Sequence, residues 1–157
     1  GPLLAAVGAG GRDPATITFE GQLAGIIATV EQFSLAGLKP AVDWLNTRRS
    51  SAELPRTICH GDFHPLNILA QNGKVTGVID WVNVVVAPAE MDVGSAIANI
   101  ATAPFAVPRG LKFALRTFFA RILRRYQDTY AKRRALVGDP VRYFQAFRCV
   151  PQLTAVL

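Results

Sequence analysis

At 157 residues, half of them hydrophobic and 18% charged, the chain can bury the core of one domain and is neither disordered nor fibrous. No apolar run reaches the length that spans a bilayer, so no membrane span is expected. The net charge of +6 is lopsided, because eleven of the 17 Lys and Arg lie between Arg109 and Arg148, where the only acids are Asp128 and Asp139. That asymmetry fits either a solvated helix face or an anionic partner. Nucleic acid is not expected, since Phe113, Phe118, Phe119, Tyr126 and Tyr130 read as the core face of a helix and not as a stacking platform.

In chain order, residues 1–16 are rich in Gly, Ala and Pro and read as a flexible lead-in to a domain covering 17–157. The opening GPLLAAVGAGG lacks a basic n-region and makes a poor signal peptide. Phe19, Leu23, Ile26, Ile27, Val30 and Phe33 keep helical spacing and predict a helix from Phe19 to Phe33. A second is expected from Lys39 to Arg49, with Val42, Trp44 and Leu45 on its apolar side. The period then changes. Thr57-Ile58-Cys59 is a short extended run, and NILAQ and KVTGVID are two more, joined by the hairpin signal Asn72-Gly73. Helix resumes after Pro88 over AEMDVGSAIANIA, then as a long amphipathic helix from Leu111 to Leu136. A last helix is predicted near Val141–Val150, stopping before Pro151. The two cysteines, Cys59 and Cys149, make no disulfide framework and fit a reducing, cytoplasmic setting.

The polar residues cluster around the predicted hairpin. A two-residue turn at Asn72-Gly73 pairs residues whose numbers sum to 145, which sets Asn67 opposite Val78 and Pro65 opposite Asp80. Strand alternation then puts Asn67, Val78 and Asp80 on one face. Asn67 and Asp80 become diagonal neighbours roughly 7–8 Å apart, close enough for one hard cation between their oxygens. Asp62, in the turn that feeds the hairpin, could then accept a proton from a substrate hydroxyl while Asn67 and Asp80 hold Mg²⁺ on a nucleotide. Phosphoryl transfer requires that division of labour, because it needs positioning and charge neutralisation more than covalent chemistry. Two other readings stay open. His60, Asp62 and His64 form an H-x-D-x-H pattern that a metal-dependent hydrolase could use, and the basic C-terminal helices could serve a non-catalytic binding module.

His60-Gly61-Asp62-Phe63-His64-Pro65-Leu66-Asn67 has the H-x-D-x-x-x-x-N spacing of a kinase catalytic loop, and Ile79-Asp80-Trp81 follows the hairpin. With Pro88-Ala89-Glu90-Met91-Asp92-Val93-Gly94 after it, the segment resembles the aminoglycoside phosphotransferase and choline kinase-like family. Gly61 stands where a protein kinase carries arginine, and eleven residues between Asp80 and Asp92 leave no room for an activation segment. The resemblance implies an α+β, mostly α-helical fold, the C-terminal lobe of a protein-kinase-like fold with a catalytic β-hairpin. It implies ATP and Mg²⁺ as cofactors and a small-molecule hydroxyl acceptor as partner. Asp62 would be the catalytic base, and Asn67 and Asp80 the magnesium and cofactor ligands. His60 and Asp92 would brace the loop, and His64 would stand at the substrate entrance. The 59 residues before His60 read mainly as helices, so the family's N-terminal nucleotide lobe is expected to be missing and this chain alone to turn over poorly. The basic helices after Asp92 weigh against a polycationic aminoglycoside as acceptor.

Overall fold

A computed structural model of the chain describes residues 17–49, 54–103 and 108–154. The expected lead-in over 1–16 lies outside them. Helix α1 runs Phe19–Gln32, its start capped by the Thr18 hydroxyl, which accepts from the Gly21 amide at 3.1 Å. Helix α2 covers Lys39–Thr47 and ends two residues sooner than the spacing predicts. There the Thr47 hydroxyl turns back onto the Asp43 and Trp44 carbonyls, in competition with the helix ladder. Strand β1, Arg56–Cys59, pairs antiparallel with β4, Val85–Pro88. Strands β2, Ile68–Gln71, and β3, Lys74–Val78, form the hairpin. Helices α3 (Ala89–Thr102), α4 (Arg109–Ala131) and α5 (Gly138–Thr154) follow. The fold is α+β and mostly helical, with two small antiparallel sheets. No described helix is long and apolar enough to cross a membrane.

The main core joins α1, α2, the β1–β4 ribbon and α5. Phe19 lies edge-on to Tyr143, Phe144 and Phe147, with ring centroids 5.9, 5.2 and 5.3 Å away. Leu23, Leu45, Cys59, Val85 and Met91 close around them. The Arg56 guanidinium clips β1 to α1 by a two-pronged bond to Glu20, which holds that carboxyl below its ordinary pKa. Helices α3 and α5 come close together at Gly94. A Cβ there would stand 2.7 Å from the Val141 carbonyl oxygen and 2.8 Å from the Phe144 Cβ, both parts of a packed helix. Gly94→Ala is therefore expected to lose about 1–3 kcal/mol of stability, read from urea unfolding midpoints. An unchanged midpoint would show that the two helices can part without cost.

Three expectations need correction. Helix α5 continues through Pro151. The proline falls in the last turn, where its missing N–H removes one bond near the end of the ladder and few residues beyond it are disturbed. Among its described residues helix α4 supplies no fully buried one, and Leu111, Phe113, Phe118 and Ile122 are exposed. Only the narrow stripe of Leu123, Tyr126 and Tyr130 packs on Val93, Ile97 and Val141, so most of the aromatic run is not core. The third concerns the hairpin register. Gln71 pairs with Lys74 and Ala70 with Val75 as predicted, but Leu69 then faces Gly77 and Ile68 faces Val78. Thr76 is the extra residue of a bulge beside Gly77, which lacks a side chain to hold regular pairing. Asn67 consequently leaves the ladder for a 3-10 turn over Pro65–Asn67, and its carbonyl accepts from the Ile79 amide at 3.0 Å.

Candidate active site

The polar loop leaves β1 at Cys59 and enters β2 at Ile68. Asp92, in the first turn of α3, grips its beginning: one carboxylate oxygen accepts from the His60 amide and the other from the Gly61 amide, both at 2.8 Å. Burial raises the Asp92 pKa, while those two amide bonds pull it the other way. The same burial, with Asp92 nearby, pushes the Cys59 thiol up to about 12, so this buried sulfur stays protonated and inert at neutral pH. Gly61 has φ +77°, and a Cβ on it would overlap the Asn83 carbonyl oxygen. Only glycine fits that turn, because it alone takes the left-handed conformation freely and has no side chain to clash.

His60 is buried and both ring nitrogens are engaged. Nδ1 accepts from the Asp62 amide at 3.3 Å, which leaves the proton on Nε2 to donate to the Ile79 carbonyl at 2.8 Å. The imidazole thus ties the loop to the end of β3, one residue before Asp80. His64 is half-buried with its Nε2 3.3 Å from the Asn67 amide nitrogen. The H-x-D-x-H reading falls on this geometry: His60 has no lone pair to give a metal. Among the described residues, no three His, Cys, Asp or Glu gather into a possible metal site.

Asp62 is oriented from a distance the spacing could not reveal. Its Oδ1 accepts from Arg148 of α5 at 2.6 Å and from Asn99 of α3 at 2.8 Å. Its Oδ2 has only a long 3.5 Å contact from Asn83. Asn99 is itself held by Arg148 Nε and by Gln152, each at 3.0 Å, and Gln152 accepts from Thr102 at 2.9 Å. One carboxylate oxygen is therefore fixed and the other left nearly open. Arg148, Asn99 and Asn83 were missed from sequence; they lie 86, 37 and 21 residues from Asp62, and no local pattern marks them.

Asn67 is buried and spends its amide nitrogen on the Asp62 carbonyl at 3.0 Å, which leaves Oδ1 as the atom for another partner. Asp80 is exposed, sits at φ 64° and ψ 57°, and has no hydrogen bond or ion pair among the described residues. Aspartate tolerates that left-handed conformation better than most side chains, yet it costs about 1 kcal/mol or more and is concentrated at functional sites. The predicted face-sharing of Asn67 and Asp80 by strand alternation does not hold. Asn67 lies in a turn and Asp80 past the strand end, and the Asn67–Ile79 bond is what draws the two segments together.

The sequence model of the phosphotransferase enzyme family (APH) matches residues 5–136. The chain belongs to this family. The match takes in the whole loop, the hairpin and Asp92, but ends before Arg148. No curated protein and no solved structure matches the chain. Within the phosphotransferase family frame, the α5 residues that orient Asp62 are features seen in this chain's own structure.

Proposed function

We propose that the chain is the C-terminal lobe of an ATP-dependent small-molecule kinase, which moves the γ-phosphate to a hydroxyl group. It would work with a nucleotide-clamping lobe: among the described residues, the elements before β1 are helices α1 and α2 with a short 3-10 turn between them, and Thr18 bridges Val86 of β4. The observation that carries the reading is the ring of contacts from Asp92 through His60 and Ile79 to Asn67. Those contacts tie together the segments that carry Asp62, Asn67 and Asp80. They leave Asn67 Oδ1 and the Asp80 carboxylate without a hydrogen-bond partner among the described residues, and Asp62 Oδ2 with one long contact.

In this reading Asp62 Oδ2 takes the proton from the acceptor hydroxyl, with Arg148 and Asn99 keeping the carboxylate plane fixed. Asn67 Oδ1 and the Asp80 carboxylate are the hard oxygen donors that Mg²⁺ accepts, so the residues present fit that ion. When bound, Mg²⁺ would neutralise charge on the phosphate oxygens. His60 and Asp92 brace the loop through backbone bonds, and His64, beside Asn67, lies at its rim.

The test is transfer of label from ATP marked at its γ-phosphate, using the protein that carries this chain. Mg²⁺-dependent loss of label to an alcohol or to water, abolished by Asp62→Asn, is the expected result. Label release that ignores both Mg²⁺ and Asp62 would overturn the reading.

A further inference from the structure

A cavity of about 380 Å³ opens beside the Asp62 loop, between α1, the start of α3 and α5. That volume lies within the range of small-molecule sites, about 300–1,000 Å³. Ile26, Met91, Phe147 and Pro151 give it an apolar body. Asn83 and Arg148, two of the side chains that touch the Asp62 carboxylate, form its edge nearest the proposed chemistry. Ser95 also lines it. This serine is 1% exposed, and its Oγ has no hydrogen-bond partner among the described residues. Buried hydroxyls are rarely left so, because an unmet one costs stability. A polar group of a ligand would meet it.

The charge on the wall decides what kind of ligand. Arg148 is the charged side chain among the described lining residues, and no carboxylate accompanies it. The Asp62 carboxylate, beyond the cavity's edge, is already paired with that guanidinium. Two of the five Arg148 N–H donors go to Asn99 and Asp62, so others remain for a ligand oxygen. A protonated amine placed here would have to compete with that guanidinium for the Asp62 carboxylate.

We propose that this cavity is the acceptor subsite and takes an alcohol with an apolar body and no positive charge, a claim that rests on the phosphotransferase reading. It excludes polycationic aminoglycosides and quaternary ammonium alcohols alike. Ser95 and the spare Arg148 donors recognise the acceptor's oxygens, and the apolar walls hold its skeleton.

Three alcohols on one skeleton separate the possibilities: cyclohexanediol, hydroxycyclohexane carboxylate and aminocyclohexanol. Each is titrated into the chain without nucleotide, and binding is followed by amide chemical shifts. The diol and the hydroxy acid should shift the signals of Gly25, Gly61 and Ser95, with the amine weaker by roughly tenfold or more. Arg148→Met should narrow that gap. Gly25→Leu should abolish binding of all three, since a Cβ at Gly25 meets nothing within 4 Å and the longer side chain enters the cavity without breaking contacts. Equal or tighter binding of the amine would overturn the proposal, as would the absence of shifts at these residues up to the solubility limit. Because no phosphate is transferred in this titration, its outcome is independent of the label-transfer test. Transfer without the charge preference sinks this inference alone, and the preference without transfer sinks only the assignment of the cavity to a phosphotransferase acceptor.

Discussion

Asp62→Asn is expected to lower phosphoryl transfer by about 10²–10⁴, the usual worth of a positioned general base. The substitution keeps the size and planarity of the side chain. Its amide oxygen can still accept from Arg148 and Asn99 in place of Oδ1, so the loop should keep its shape. What disappears is the nearly open oxygen, Oδ2, which becomes an NH₂ that cannot take a proton. Binding of Mg²⁺·ATP should change little, because Asn67 and Asp80 are untouched. Steady-state kinetics would show kcat collapsing at nearly constant KM for ATP. A variant with unimpaired kcat would remove Asp62 from the chemistry.

Asp92→Asn should be the most damaging single change to the loop itself. The carboxylate offers two acceptors to two buried backbone amides, and an asparagine offers only one. Its NH₂ would confront the His60 or Gly61 amide donor to donor, at a cost of about 1–3 kcal/mol for the unmet group. The pH dependence has a definite sign. Burial raises the pKa of folded Asp92, so its contribution is fully present below the unfolded carboxylate value and declines as pH rises through the raised one. The stability gap between wild type and Asp92→Asn should therefore be widest in acid and narrow toward neutral pH. Urea midpoints measured across that window check it, and a gap that widens with rising pH would contradict the assignment.

Much of this arrangement could be read in one dimension. Asn72-Gly73 announced its turn, and both residues do adopt positive φ, 52° and 72°. The periodic spacing of Phe19, Leu23 and Val30 located α1 within a residue at its far end. The run from His60 to Asn67 pointed to the loop because its chemistry is local. The misses share a different cause, namely contacts that no window contains. Strand β4 is Val85-Val86-Ala87-Pro88, an apolar run without polar alternation, and only its pairing with β1 makes it a strand. The bulge at Thr76 slips the register because Gly77 has no side chain to hold it, a feature visible in sequence but ambiguous until the partner strand is known. Arg148 looked like one more basic residue on a solvated face. Only the packing of α5 against α3 brings it to Asp62, and with it the reason one oxygen of that carboxylate is fixed and the other left open.

The central claim is that Asn67, Asp80 and Asp62 act as one site on a metal-bound nucleotide. Adding Mn²⁺ and ATP to the protein and following paramagnetic broadening of the amide signals tests it most directly. The signals of Asn67, Ile79, Asp80 and Asp62 should vanish first, and Asp80→Ala should abolish this selectivity. Broadening that centres on surface acids such as Asp43 or Asp139, with the loop signals intact, would contradict it.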